Sequence, residues 1–222
     1  MTGKTRKRVA ILISGRGSNM AALIEAATDP DFPAEIALVL ANRPHAGGLA
    51  LARAAGIAAE AIDHKAHADR ASFDAALDAR LAAAAIDIVC LAGFMRLLTP
   101  AFCERWRDRM INIHPSLLPL FPGLDTHRRA IAAGMKLTGC TVHFVRPEMD
   151  SGPIIGQAAV PIGPDDTEES LAARVLAAEH RLYPLALALL ADGLVRVEHE
   201  RLVVEPGLPL DLSDMLIAPT FG

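Results

Sequence analysis

Three polar side chains stand out from an otherwise aliphatic chain by what they could do together. Asn112 and His114 lie two apart in Met110-Ile111-Asn112-Ile113-His114, so on an extended strand both side chains leave on one face, towards one point. Asp150 sits in Met149-Asp150-Ser151-Gly152-Pro153, a turn between two hydrophobic runs. A carboxylate beside an imidazole favours its charged form, which would let His114 donate a proton near neutrality. An amide, an imidazole and a carboxylate with no serine or cysteine nucleophile beside the base suit direct acyl transfer. Asn112 would be the oxyanion donor and His114 the proton carrier. Taken singly, an Asn-x-His pair also caps turns, and Asp before Ser-Gly-Pro is an ordinary turn residue. The proline-studded segment 115–123 favours the chemical reading, because a stiff loop would fix the pair at a sheet edge instead of burying it.

A second centre is Ser14-Gly15-Arg16-Gly17-Ser18-Asn19, between an apolar run and the helical Met20-Ala21-Ala22-Leu23-Ile24. Glycines let the backbone turn tightly, and the free amides and dipole of a helix start favour an anion, phosphate above all. No Lys-Ser/Thr follows the second glycine, so this is not a Walker loop, and Met20 stands where a dinucleotide fingerprint needs its third glycine. The next strand candidate ends in Asn42-Arg43 rather than in an acid for a ribose hydroxyl. A single phosphate fits better than a dinucleotide, and a plain strand-to-helix turn with Ser18 as N-cap is the alternative. Other polar groups have simpler readings. Asp63-His64-Lys65-Ala66-His67-Ala68-Asp69 reads as a solvated loop rather than a metal site, given the lysine among the would-be ligands. His143, alternating with Val142 and Phe144, reads as a satisfied buried histidine, and Glu168 and Glu169 suit the start of a helix.

The elements that must hold these residues follow from hydrophobic periodicity. Short runs of Val, Ile and Leu alternate with alanine-rich helical stretches, the pattern of βαβ units around a mostly parallel sheet. Strands are predicted at 8–13, 36–42, 57–62, 87–93, 110–114, 138–146 and 153–161, and helices at 18–28, 47–55, 70–84, 99–108, 126–133 and 167–191. Phe73, Leu77 and Leu81 mark one buried stripe, and Leu171, Val175, Ala178, Leu182, Leu185 and Leu189 another, with Pro184 expected to kink that last helix. The tail from Val195 reads as one or two short strands and then loop.

Composition narrows the class of function. A chain of 222 residues, 52% hydrophobic and 22% charged, can bury a sizeable core and is not disordered. Its net charge of −4 provides no basic field for a nucleic-acid backbone. The longest apolar run, 182–191, is about half of what a bilayer needs, and the five apolar residues after the basic lead are too few for a signal peptide. The three cysteines, Cys90, Cys103 and Cys140, form no C-x-x-C pair, which fits reduced core thiols in a cytoplasmic protein and no metal held through cysteine.

Taken together, four segments resemble one family. Ser14-Gly15-x-Gly17-Ser18-Asn19, Leu91-Ala92-Gly93-Phe94-Met95-Arg96, Asn112-Ile113-His114-Pro115-Ser116-Leu117-Leu118-Pro119 and His143-Phe144-Val145 leading to Asp150-x-Gly152-Pro153-Ile154-Ile155 are similar in order and spacing to the glycinamide ribonucleotide transformylases, over about residues 9–193. The resemblance implies the formyltransferase fold: a three-layer α/β domain with a mostly parallel central sheet and a Rossmann-like amino-terminal half. Residues 1–222 would form a single domain, with about 1–108 binding ribonucleotide and about 109–222 building the folate site. The implied activity is transfer of a formyl group from 10-formyltetrahydrofolate, a co-substrate, to the amine of 5-phosphoribosylglycinamide in de novo purine biosynthesis. No metal, nucleic acid or membrane is implied, and the protein would be a monomer or homodimer.

By the same resemblance Asn112, His114 and Asp150 are the catalytic set, and Gly17, Ser18 and Asn19 hold the ribonucleotide's phosphate and neighbouring groups. Glu179 takes a ribose hydroxyl; without the resemblance it reads as the solvated flank of a helix. Met95, Arg96, Leu97, Leu98 and Asn112 contact the folate, and Arg70 meets its glutamate tail. Asp125 stands where some members have histidine, and Leu120 where some have a basic residue. Rival folate formyl enzymes are expected to carry an added nucleic-acid module or a regulatory domain, for which this chain is expected to lack room.

Overall fold

The structure, a computed structural model, describes residues 5–206. Strands β1 (Lys7–Ile13), β2 (Ala34–Ala41), β3 (Ala59–Ala61), β4 (Ile88–Leu91), β5 (Met110–His114), β6 (Leu137–Phe144) and β7 (Ile154–Pro161) form one seven-stranded sheet of order β3-β2-β1-β4-β5-β6-β7. The strands from β3 across to β5 pair in parallel, while β6 runs antiparallel to both β5 and β7. The α/β class and the mostly parallel sheet expected from periodicity are therefore observed. The sheet crosses residue 108 without interruption, because β4 pairs directly with β5.

Six helices cover it: α1 (Ser18–Ala26), α2 (Gly48–Ala54), α3 (Arg70–Ala83), α4 (Pro100–Arg105), α5 (Thr126–Ala132) and α6 (Glu168–Ala191). Alternate residues of β1 divide between two cores, which is why its sequence is apolar without a break. Val9, Ile11 and Ile13 pack in a cluster with residues of α1, α2 and α6, whereas Ala10 and Leu12 join Phe73, Leu77 and Leu81 of α3 and Phe102 of α4. These are the three layers. Most elements are somewhat shorter than predicted, β3, β4 and α4 most of all. β3 keeps only three residues, as an edge strand paired with β2 alone. α4 stops at Arg105, and Asp108, inside the predicted span, takes a left-handed φ of 58° that no helix accommodates.

The buried stripe of α6 coincides with the predicted one at Leu171 and Val175 and then departs from it. Leu171, Val175, Glu179, Tyr183, Leu187 and Ala191 face inward at every fourth residue, while Leu185 is 56% exposed. Polar atoms with partners inside the fold decide the face. The Tyr183 hydroxyl donates to the carbonyls of Leu91 (2.9 Å) and Ile111 (3.2 Å), and Glu179 accepts from Asn19. The helix continues through Pro184. After it come β8 (Val195–Glu198) and β9 (Arg201–Val204), a hairpin in the predicted place, and the loop predicted beyond lies outside the described residues.

The strand order reverses between β1 and β4, and it is beyond the carboxyl ends of the strands at such a switch point that open α/β sheets bind ligands. The loops leaving these strands are tied together: the Ser14 amide donates to the Gly93 carbonyl (3.2 Å) and the Ser14 hydroxyl accepts from the Met95 amide (2.8 Å). Among the described residues no helix is long and apolar enough to cross a membrane.

Candidate active site

β5 delivers Asn112 and His114 to one face of the sheet, as its two-residue period requires. They form the floor of a mostly apolar cleft of about 520 Å³ whose walls include Leu91, Met95, Leu98, Val145 and Met149. Both nitrogens of the buried His114 ring face oxygen. Nε2 is 3.0 Å from the Phe121 carbonyl, which it can only meet as a donor, and Nδ1 is 3.4 Å from Oδ1 of Asp150. The second contact is an ion-pair approach rather than an aligned hydrogen bond, as is common in ligand-free sites. Asp150 is itself held by the Gly123 amide, which donates to Oδ2 at 2.7 Å, and has a left-handed φ of 49°, a conformation that aspartate tolerates better than most residues.

Asn112 is oriented from across the sheet. Its register partner on β6 is His143, whose Nε2 lies 3.2 Å from the Asn112 Nδ2. His143 Nδ1 is within reach of the carbonyls of Phe144 (2.9 Å) and Ser151 (3.0 Å), so it carries the proton and Nε2 offers its lone pair to the asparagine amide. Burial holds the His143 pKa below the usual histidine range, which keeps the ring in this neutral form. One N–H of Asn112 is thus taken, and the other remains to meet a ligand.

The loop 115–123 is pinned to β6 by hydrogen bonds. The Thr141 hydroxyl donates to the Ser116 carbonyl (2.7 Å) and accepts from the Leu118 amide (3.0 Å) and Gln157 (3.0 Å), while the Ser116 hydroxyl donates to the Leu120 carbonyl (2.6 Å). Ser116, Thr141 and Gln157 were not legible as site residues, nor was the pairing of His143 with Asn112. Each depends on strand register, which a sequence does not print.

At the other end of the cleft, Asn19 donates from Nδ2 to Oε2 of Glu179 at 2.6 Å, joining α1 to α6. Its Oδ1 is buried without a partner among the described residues. Burial raises the Glu179 pKa above the usual glutamate range, and the Asn19 bond offsets part of that shift. Asn19 and Glu179 both line the cleft, so this polar corner suits a ligand that brings hydrogen-bonding groups. Beside it, α1 begins without a side-chain cap. Gly17, not Ser18, holds the cap position, with φ 79°, and Ser18 is the first helical residue. A side chain at Gly17 would also press on Gly48, its Cβ only 3.2 Å from that residue's Cα. The first amides of α1 are consequently left open for an anion.

Met95, Arg96, Leu97 and Leu98 line the cleft along the exit of β4. Arg96 also lies over the Phe73 ring at 5.4 Å. Gly17, Ser18 and Arg70 are not among the lining residues. Arg70 is exposed at the start of α3, whose Phe73 supports Arg96. Asp125 lines the cleft and pairs with Arg128, while the exposed Leu120 does not line it. Cys103 is in the wall, but burial pushes its thiol up to about 11, and those of Cys90 and Cys140 up to about 12, so all three free thiols are inert at neutral pH. In the segment 63–69, Asp63 caps a 3-10 turn and His64 is engaged by the Asn42 carbonyl. Among the described residues no group of three or more His, Cys, Asp or Glu side chains is arranged to hold a metal.

A sheet with its switch-point crevice, and an amide, imidazole and carboxylate at the crevice floor, define a class that comparison with known proteins makes specific. The family model described as formyl transferase matches residues 7–187, and the chain belongs to the formyl transferase family. Among its relatives, phosphoribosylglycinamide formyltransferase of Escherichia coli (strain K12) is 44% identical over 192 residues, covering 86% of this chain and 90% of that protein. The trifunctional purine biosynthetic protein adenosine-3 of Drosophila melanogaster is 50% identical over 202 residues; the match takes in 90% of this chain but only 15% of that longer protein. The crystal structure of glycinamide ribonucleotide transformylase 1 from Symbiobacterium toebii superposes with a TM-score of 0.88 at 46% identity, covering 91% of this chain and 95% of that one.

Proposed function

We propose that this chain transfers the formyl group of 10-formyltetrahydrofolate to the amine of 5-phosphoribosylglycinamide, a step of de novo purine biosynthesis. The observation that carries the reading is the meeting of the Asn112 amide, the His114 ring and the Asp150 carboxylate at the floor of a cleft that extends to Glu179. The amine lone pair attacks the formyl carbon, and the carbonyl π electrons move onto oxygen. Asn112, aimed by His143, donates its free N–H to that oxyanion, an interaction worth about 10²–10³-fold in rate. The attacking nitrogen then loses a proton, and the folate nitrogen gains one as its bond to carbon breaks and the carbonyl re-forms. Because the Phe121 carbonyl holds Nε2 of His114, that proton is carried on the Nδ1 side of the ring, where the Asp150 carboxylate 3.4 Å away takes part in the relay, for about 10²–10⁴-fold. Holding both substrates in one cleft supplies much of the remainder.

In this reading the open amides of α1 at Gly17, Ser18 and Asn19 take the phosphate, and Asn19 and Glu179 take the hydroxyls of the ribose. Met95, Arg96, Leu97 and Leu98 bind the apolar part of the folate, and Arg70, outside the cleft, meets a glutamate tail projecting from it. Residues 1–108 serve chiefly the ribonucleotide and 109–222 the folate, within one domain. Three unpaired thiols fit a cytoplasmic site of action. The test is incubation with both substrates, following the absorbance of released tetrahydrofolate. Release that depends on the ribonucleotide is expected. Release at the same rate without it would mean that water, not an amine, is the acceptor, and would overturn the reading.

A further inference from the structure

Arg146, two residues beyond β6, is only 8% exposed although it carries a full charge. Its Nε donates to Oε2 of Glu200 at 2.7 Å and its Nη2 to Oδ1 of Asp108 at 2.7 Å, while its Nη1 reaches the Val145 carbonyl at 3.1 Å. A buried guanidinium needs such partners. Glu200 comes from the tip of the β8–β9 hairpin and also pairs with Arg107. That tip is a two-residue turn in which His199 and Glu200 have φ of 51° and 58°, where hairpins ordinarily place Asn-Gly. A non-glycine pair persists there only when its surroundings hold it, and the two arginines on Glu200 do so. They also keep its carboxyl below the usual glutamate range, the Arg146 hydrogen bond most of all.

The other side of Arg146 supports the catalytic turn. A Cβ on Gly152 would lie 3.1 Å from Cγ of Arg146 and 2.1 Å from the Phe144 carbonyl oxygen, so the backbone after Asp150 is packed directly onto the arginine stem. Arg146 lines the cleft as well. We propose that the β8–β9 hairpin is a strut for the turn that carries Asp150, and that Glu200, acting through Arg146, is a positioning residue for the His114–Asp150 pair. The inference deepens the formyl-transfer reading above and rests on it.

The test uses the full chain with Glu200→Ala and Glu200→Gln, the latter retaining size while losing the charge. In the ligand-free protein, hydrogen exchange across 144–153 should quicken in both variants. In formyl transfer, kcat should fall and the KM for 10-formyltetrahydrofolate rise by roughly three- to tenfold, the modest size expected when one carboxylate of a partly exposed pair is lost and Asp108 remains. The KM for the ribonucleotide should stay within about twofold, since Glu179 and α1 are not touched. In an Asp150→Asn background, Glu200→Gln should cost little further kcat, because the two act through one turn. Unchanged exchange across 144–153, or a loss that adds in full to that of Asp150→Asn, would overturn the strut. If the wild-type protein failed to turn over these substrates, the formyl-transfer reading would fall, while the exchange experiment would still decide the strut. Should Glu200→Ala not fold, Glu200→Gln carries every arm.

Discussion

The chemistry of single side chains in this site depends on which of their hydrogen-bonding atoms are already used. His143 spends both ring nitrogens, one on backbone carbonyls and one on Asn112, and burial keeps it neutral. Its contribution is therefore orientation of the amide and not proton transfer. His143→Ala should lower kcat roughly ten- to a hundredfold while changing either KM little, and combining it with Asn112→Ala should cost no more than Asn112→Ala alone. Steady-state rates of the three variants check this; an additive double variant would show that His143 acts on its own. Glu179 gives a prediction about pH. Its pKa in the fold is raised by burial, so the folded state favours the protonated acid. The stability this lends is fully present below the unfolded value of about 4.3 and is lost as pH rises through the folded value. Glu179→Gln should thus melt higher relative to wild type at pH 7 than at pH 4. A melting difference independent of pH would mean that the carboxyl is not desolvated.

Elements set the angle at which these groups are presented. β5 and β6 act as a pair, since their antiparallel register places His143 opposite Asn112 and Thr141 opposite His114. One strand thereby carries the groups proposed to react, while its neighbour holds Asn112 through His143 and the loop after His114 through Thr141. α1 works differently: its value lies in amides left uncapped, and Gly17 makes that possible by taking a left-handed φ. Gly17→Ala forces a Cβ into that conformation at a cost of about 1–2 kcal/mol. Either the turn reopens or the helix start shifts, and both misplace the amides. The KM for 5-phosphoribosylglycinamide should rise by about tenfold or more, with that for the folate nearly unchanged. Measuring both constants on the same preparation checks the assignment, and equal effects on the two would remove α1 from the phosphate site.

At the scale of the whole molecule, the two halves anticipated from sequence share their structure. β4 pairs with β5 across the boundary, and α6, late in the chain, packs on α1 and bonds Asn19 through Glu179. Such a molecule should unfold as one unit. Trp106 is buried in the cluster of α3 and α4, on the face of the sheet opposite α6, so its fluorescence reports one layer while far-UV circular dichroism reports all of them. The two denaturation curves should coincide, and separate midpoints would mean that the halves are independent folding units.

What local geometry can express was legible without the fold. A two-residue period puts Asn112 and His114 on one face of a strand, a four-residue period marks Phe73, Leu77 and Leu81, and glycines before a helix announce a tight turn at its start. These follow from backbone geometry over a few residues, so they survive without knowledge of the fold. Which distant groups meet came from the packed fold: Asp150 with His114, His143 with Asn112, Glu179 with Asn19 and Glu200 with Arg146. It also set the second half of α6 so that Glu179 and Tyr183 face inward and Leu185 outward, and gave the cap of α1 to Gly17 in place of Ser18. The reason is common to all of these. Register and the burial of a particular polar atom depend on every strand and helix packed around it, and a buried polar atom must find its partner wherever the closed sheet puts one.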